Sequence, residues 1–235
     1  MNIIKHHINY NLKNKLKGLV KEINFNELNK KINYVNIYHS SWSNKINNKN
    51  INFINLVTDE IGPLEFNNQY ILRAGFLNSV PKCDNQFFHI DYSGRTETYF
   101  IPLTDLTNNN GTEYLSFKNK DNYKKYYNLL LSLSNKYLNK EDICEQLEKN
   151  NIKRDEYDFI IYNCNAYSLY KLPNYVLHRG KTNETNEIRT IFQLVTSNNI
   201  NDAKLILLKE TVNDAELDEL DIVNSVINRR INSNK

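Results

Sequence analysis

His89 and Asp91, in the stretch Gln86-Phe87-Phe88-His89-Ile90-Asp91, stand two positions apart. On an extended strand side chains alternate with period two, so an imidazole and a carboxylate at this spacing share a face and can grip one ion from one side. Taken alone, the pair serves equally well as a buried histidine bonded to a nearby aspartate. A third ligand is available in His178, within Tyr175-Val176-Leu177-His178-Arg179-Gly180, far off in sequence as a ligand on a facing strand would be. Two histidines and one carboxylate with adjacent positions open form the facial set that holds non-haem Fe(II) for oxygen chemistry. Arg189 then begins an apolar run, eleven positions after His178. A buried guanidinium needs a partner, because an unpaired charge is costly to desolvate. Its planar fork suits a carboxylate, and a dicarboxylate cosubstrate would supply one.

The elements that must position these residues are mostly short strands. The runs 34–42, 51–57, 69–76, 86–91, 97–103 and 112–117 read as strands, with a polar turn at 104–111. The pattern resumes at 157–164, 166–170, 175–178 and 188–196, while 202–209 fits strand or helix. Leu12, Leu16, Leu19, Val20 and Ile23 fall at helical spacing among lysines, which predicts an amphipathic helix within 10–32. Tyr123, Tyr126, Leu130 and Leu133 begin a helical insertion near 120–150, continued by 140–149. The tail 213–230, acidic at its start and ending in Arg-Arg, suits a helix aligned with its own dipole. This is a mainly β fold with flanking helices, a β-sandwich or jelly roll whose open mouth can host a metal. The expected organisation is a single domain over 1–235. It comprises a basic N-terminal helical region at 1–50, a first half of the jelly roll at 51–118 and the insertion at 119–150. A second half at 151–210 and a C-terminal helix at 211–235 complete it.

At this point the chain resembles the Fe(II)/2-oxoglutarate-dependent dioxygenases, most closely their phytanoyl-CoA dioxygenase-like branch. The residues that carry the resemblance are Gln86-x-x-His89-x-Asp91, Pro102-Leu103-x-Asp105, the Asn110-Gly111 turn, His178-Arg179-Gly180-x-x-Asn183-x-Thr185 and Arg189. It spans about 70–192. It implies a double-stranded β-helix, the cupin-like jelly roll, with His89, Asp91 and His178 as catalytic metal ligands for Fe(II). It further implies 2-oxoglutarate chelating the iron, with Arg189 on its distant carboxylate, and O2 as oxidant. The product would be a hydroxylated C–H bond, with succinate and CO2 released. Because Asp91 is present where halogenating members lack a carboxylate, hydroxylation is implied rather than halogenation. The family's Pro-Gly-Ser-His stretch is replaced by Tyr114-Leu115-Ser116-Phe117-Lys118, so the family's substrates do not carry over. Arg73, Gln86, Tyr99, Thr98 and Asn183 are further candidates to reach the cosubstrate or to orient metal-bound groups. Arg73 serves equally as an edge-strand ion-pair partner.

Composition sets bounds around this reading. Asn makes up about 18% of residues, far above ordinary usage, as expected of an AT-rich genome such as that of a large DNA virus or a parasite. That bias devalues the two glycosylation-like triplets at Asn110 and Asn183. Net charge is +3, too small to mark a nucleic-acid binder. Residues 1–50, however, carry nine Lys against Glu22 and Glu27, which leaves the remainder acidic. This basic region reads as a solvated helix face, with phosphates or an acidic partner as the alternative. Cys83, Cys144 and Cys164 lack paired spacing, which points to reduced thiols in a cytoplasmic protein. No apolar run reaches membrane length and no signal-peptide core is present, so a soluble protein is expected. His6 and His7 read as tail residues, His39 as a packed or surface histidine, and neither Cys83 nor Cys164 as a nucleophile. Two alternatives to a small-molecule or amino-acid side-chain hydroxylase stay open. One is the same chemistry on a protein or nucleic acid held by residues 1–50, and the other a non-catalytic jelly-roll binding module.

Overall fold

The computed structural model describes residues 3–6, 8–22, 30–32, 41–44, 51–60, 70–91, 96–134, 136 and 138–199. The expected C-terminal helix at 211–235, the run 202–209, His7 and His39 lie outside the described residues. Ten strands are present: β1 (Ile4–His6), β2 (Lys30–Ile32), β3 (Ser41–Asn44), β4 (Tyr70–Ser79), β5 (Glu97–Pro102), β6 (Thr112–Phe117), β7 (Tyr157–Tyr162), β8 (Leu169–Leu172), β9 (His178–Gly180) and β10 (Arg189–Ser197). They form two antiparallel sheets. The larger runs β1-β8-β5-β10-β4-β3-β2 and the smaller β7-β6-β9. The architecture is thus mainly antiparallel β with a few helices, in a jelly-roll-like arrangement.

Helix α1 (Tyr10–Glu22) starts at Asn9, whose Oδ1 accepts from Leu12 N at 2.8 Å. Leu12 and Leu16, four apart, are its buried face. Helix α2 (Ile51–Glu60) replaces the strand expected at 51–57. Its apolar residues fit either period, and the deciding factor is tertiary. Phe53 and Val57 lie on one helical face, and Phe53 packs edge-on against Phe76 (5.3 Å) and Phe192 (4.9 Å) of β4 and β10. The outer face of the large sheet offers an aromatic floor that a helix can cover. Helices α3 (Asp121–Lys125), α4 (Tyr127–Ser134) and α5 (Lys140–Lys149) lie between β6 and β7. Asn139 and Asp142 close a reciprocal cap on α5, and Leu130, Leu133, Ile143 and Leu147 are fully buried in a core shared with the small sheet.

Strand register sorts the large sheet into two faces. Phe192 pairs with Phe76 and Ile101, and Leu194 with Tyr99, all on the helix-covered side. Arg189 pairs with Ser79, Ile191 with Leu77 and Pro102, Gln193 with Phe100, and Val195 with Thr98, all facing the small sheet. All nine residues of β10 are buried, so both faces are covered.

The stretch 86–91 is not a separate strand, contrary to expectation. It is a loop tied to β9 by backbone bonds. Gln86 N donates to Gly180 O at 2.9 Å, and His89 and His178 exchange N–H···O bonds of 2.8 and 2.9 Å. His89 therefore adds one rung beside β9.

Candidate metal centre

That rung brings the two imidazoles side by side, with ring centroids 4.5 Å apart. Each Nδ1 faces a backbone carbonyl two residues earlier, Phe87 O at 2.9 Å for His89 and Val176 O at 3.0 Å for His178. A neutral ring bonded this way donates from Nδ1 and keeps the Nε2 lone pair for a ligand. Asp91 faces both Nε2 atoms, with Oδ1 3.7 Å from His89 and Oδ2 3.6 Å from His178. These separations are too long for hydrogen bonds. Two ligands bound at about 2.1 Å to one ion stand roughly 3 Å or more apart, so the gaps match a bridged ion. One ligand atom from each of the three residues lies within 4.8 Å of the others, the one such group of three among the described residues. Burial pushes the His178 pKa down to about 4, with neighbouring His89 acting the same way and Asp91 opposing. His178 is thus neutral at physiological pH, as a metal ligand must be. The donor set fits a first-row divalent ion with open positions.

Gln193 was not among the residues expected at the site. From the inner face of β10 its Nε2 donates to Asp91 Oδ2 at 3.3 Å. It ties the carboxylate to the large sheet, as the two carbonyls tie the imidazoles to their own loops. The signal was available, since Gln193 shares the parity of Arg189 along one strand.

Arg189 is buried, and burial pushes its pKa down. Its Nη1 donates to Asn110 O (2.7 Å) and Lys181 O (2.9 Å), and its Nη2 to Ser79 Oγ (2.7 Å). These acceptors are neutral, and among the described residues it makes no ion pair. A guanidinium has five N–H donors and retains its charge, so a buried cation with spare donors faces the interior. Gly180 leaves room for it, because a Cβ there would stand 2.7 Å from Gln86 Oε1 and 2.9 Å from Arg189 Nη2.

The remaining candidates are placed as follows. Gln86 does not point at the ligand triad; its Oε1 accepts from Gly180 N at 2.7 Å and braces β9. Asn183 is fully buried and bridges loops, with Nδ2 donating to Ser79 O (3.0 Å) and Glu187 O (2.7 Å). It supports Ser79, which in turn holds Arg189. Tyr99 lies on the helix-covered face of β5, its hydroxyl on Glu97 Oε2 at 2.8 Å. The expectation that it reaches the cosubstrate is corrected, because strand parity turns it away from the small sheet. Thr98, one residue earlier, faces inward. Arg73 pairs with Val195 in register, and its side chain lies outside the described residues. The glycosylation-like Asn110 and Asn183 are both internal; Asn110 Oδ1 accepts from Thr107 N at 2.7 Å. Gly111 is required beside it, since a Cβ would sit 2.6 Å from Tyr162 O. None of the three cysteines forms a disulfide. Among the described residues no helix is long and apolar enough to cross a membrane.

On the far side of β9 from the imidazole, Arg179 Nε donates to Glu113 Oε2 at 2.8 Å, and Lys140 Nζ to Glu113 Oε1 at 3.0 Å. Burial alone would raise the Glu113 pKa, but these two cations outweigh it and hold the pKa below the usual range. The triad clamps β6, β9 and α5 behind His178.

Solved structures with this fold include the non-heme alpha ketoglutarate dependent carbocyclase SnoK from nogalamycin biosynthesis. It aligns with a TM-score of 0.53 at 12% identity over 85% of this chain and 82% of its own. EctD from S. alaskensis, in its apoform, aligns at 0.52 and 10% identity over 83% and 72%. HygX from Streptomyces hygroscopicus, with nickel, 2-oxoglutarate and hygromycin B bound, aligns at 0.51 and 10% identity over 83% and 81%. No protein-family model matches the chain, and no curated protein matches it in sequence. At these identities the likeness defines the fold.

Proposed function

We propose that this chain is an Fe(II)- and 2-oxoglutarate-dependent oxygenase that hydroxylates a C–H bond of a small molecule or an amino-acid side chain. The observation that carries the proposal is the convergence of His89, Asp91 and His178, with both Nε2 lone pairs and a carboxylate turned to one point. The structural neighbours SnoK and HygX, one named for alpha ketoglutarate dependence and the other holding nickel and 2-oxoglutarate, support the same cofactors here. The motif residues from Gln86 to Arg189 favour the phytanoyl-CoA dioxygenase-like branch, in a soluble cytoplasmic protein built as one domain.

Within this reading each group has a separate task. His89, Asp91 and His178 would hold Fe(II), a donor set that leaves positions free for cosubstrate and oxygen. Bound there, the iron with 2-oxoglutarate and O2 supplies the oxidising chemistry, releasing succinate and CO2 as the C–H bond becomes C–OH. Arg189 would bind the far carboxylate of the cosubstrate with its spare donors. Ile191, between Arg189 and Gln193, and Phe100 and Tyr170, in register with Gln193, line the inner face and would exclude water from the bound cosubstrate. Gln193 keeps one oxygen of Asp91 engaged and so orients the carboxylate.

Two measurements test this. Under anaerobic conditions Fe(II) and 2-oxoglutarate together should give the visible charge-transfer band of a 2-oxo acid chelate. In air the wild type should convert 2-oxoglutarate to succinate, and His178→Ala should not. A wild type that binds iron but shows neither the band nor succinate would be a binding module instead. Helix α1, in the basic N-terminal region, packs Leu12 and Leu16 on the sheet face opposite the ligands.

A further inference from the structure

A metal centre of the proposed kind needs His89, Asp91 and His178 held at fixed separations, and this inference rests on that reading. The loop 86–91, which carries two of the three ligands, has a second edge besides the one on β9. Three successive N–H groups leave it on alternate sides, as in an extended chain. His89 N donates to His178 O at 2.8 Å, whereas Phe88 N donates to Leu138 O at 3.0 Å and Ile90 N to Ser134 Oγ at 2.7 Å. Ser134 ends α4 and Leu138 precedes α5, so the helical insertion grips the loop from the side opposite β9. The peptide unit that Ser134 fixes follows His89 directly and lies between two metal ligands. Among the described residues the Asp91 carboxylate receives one hydrogen bond, at 3.3 Å from Gln193, so the backbone before it does most to place it.

Behind the same ligands a ring of contacts closes. Phe88 and Arg179, each next to a ligating histidine, meet with the guanidinium 4.6 Å from the Phe88 ring centroid. Glu113, in register with Arg179, accepts from its Nε at 2.8 Å and its Nη2 at 2.7 Å, and from Lys140 at 3.0 Å. Lys140 Nζ stands 4.9 Å from the ring centroid of Phe159, whose ring is 5.1 Å from that of Phe88. The first residue of α5 is thereby joined to both segments that carry histidine ligands. Apolar residues of similar volume would fasten the helix as firmly. Directed bonds between buried charges add a fixed register, which a metal centre can use.

We propose that the helical insertion positions the metal ligands. Ser134 is the positioning residue for His89 and Asp91, and the ring centred on Glu113 holds the insertion at a fixed distance from β9 and His178. None of these groups touches the metal. They act through the backbone of the ligands, and supporting groups of that kind are worth about 10–100-fold in metal affinity.

The experiment titrates Co(II) into the metal-free full chain and reads both affinity and the visible spectrum of the bound ion. Ser134→Ala should lower affinity about ten-fold and shift the spectrum, because Ile90 N loses its partner and Asp91 moves. Ser134→Thr, which keeps the hydroxyl, should restore both. Glu113→Gln, which keeps shape and drops the charge, should weaken Co(II) binding by a similar factor. Ile143→Val is the control. It trims a fully buried side chain of α5 and should lower Tm by a few degrees while leaving affinity and spectrum unchanged. The inference is overturned if Ser134→Ala leaves affinity and spectrum unmoved, or if Ser134→Thr behaves like Ser134→Ala. It is overturned equally if Ile143→Val weakens Co(II) binding as much as the other variants, since lost stability would then explain the effect. Should Ser134→Ala not fold, the comparison of Glu113→Gln with Ile143→Val decides. A wild type that binds no Co(II) overturns the proposed function and the inference with it. A wild type that binds Co(II) and forms succinate, beside a Ser134→Ala that matches it, overturns the inference alone.

Discussion

β10 is buried along its whole length, yet its two faces differ in kind. Outward, Phe192 and Leu194 meet Phe76, Tyr99 and Phe53 in an apolar layer under α1 and α2. Inward, the same strand carries Arg189, bonded to Ser79 and two backbone carbonyls, and Gln193, whose amide donates to Asp91. Burying Phe192 stabilises the fold directly, whereas burying Arg189 opposes it. Groups that cost stability persist where something must be bound, so polarity under equal burial separates scaffold from site.

Four changes would break or sharpen that contrast. The largest effect belongs to His178→Ala, which removes a ligand. Ni(II) or Co(II) affinity, followed by titration calorimetry, should drop more than about 100-fold, beyond what loss of a supporting residue does. Next comes Phe192→Ala on the outer face, expected to cost about 3–5 kcal/mol in denaturant unfolding with metal affinity little changed in the folded fraction. Comparable losses of metal affinity in both variants would erase the distinction between the faces.

The third concerns pH. Buried His178 titrates near 4 in the fold and near 6.5 when unfolded. The unfolded chain thus binds the proton first, and the metal-free protein should be most stable above about pH 6.5 and lose stability as pH falls toward 4. The loss, up to about 3 kcal/mol, should be absent from His178→Ala when both are unfolded by urea across that range. The smallest effect is that of Gln193→Leu. Tm should change little, while Co(II) affinity falls about ten-fold and the visible spectrum of the bound Co(II) shifts as Asp91 loses its tether. An unaltered spectrum would assign Gln193 to packing alone.

Much of the scaffold was legible because alternation is local. Tyr70–Ser79, Glu97–Pro102, Thr112–Phe117, Tyr157–Tyr162 and Arg189–Ser197 all fall where apolar and polar residues alternate or run together. The helix at Ile51–Glu60 was misread because its apolar residues satisfy two periods at once, and only the aromatic floor beneath it selects one. Tyr99 was misplaced for the opposite reason. Its strand was right, but which face looks inward is not written in a strand whose two faces are both covered.

Residue types and spacing alone determined that one imidazole, one carboxylate, a distant second imidazole and a later guanidinium exist in an order suited to metal and dicarboxylate binding. The parity along β10 also belongs to the sequence, and it places Gln193 on the side of Arg189. Only the tertiary structure decided that residues 86–91 are a loop pinned to β9, and that Asp91 reaches both rings and Gln193. The physical reason is range. Period and propensity act between neighbours along the chain, whereas the bonds that seat His89 beside His178 join distant segments and form only once both sheets have packed.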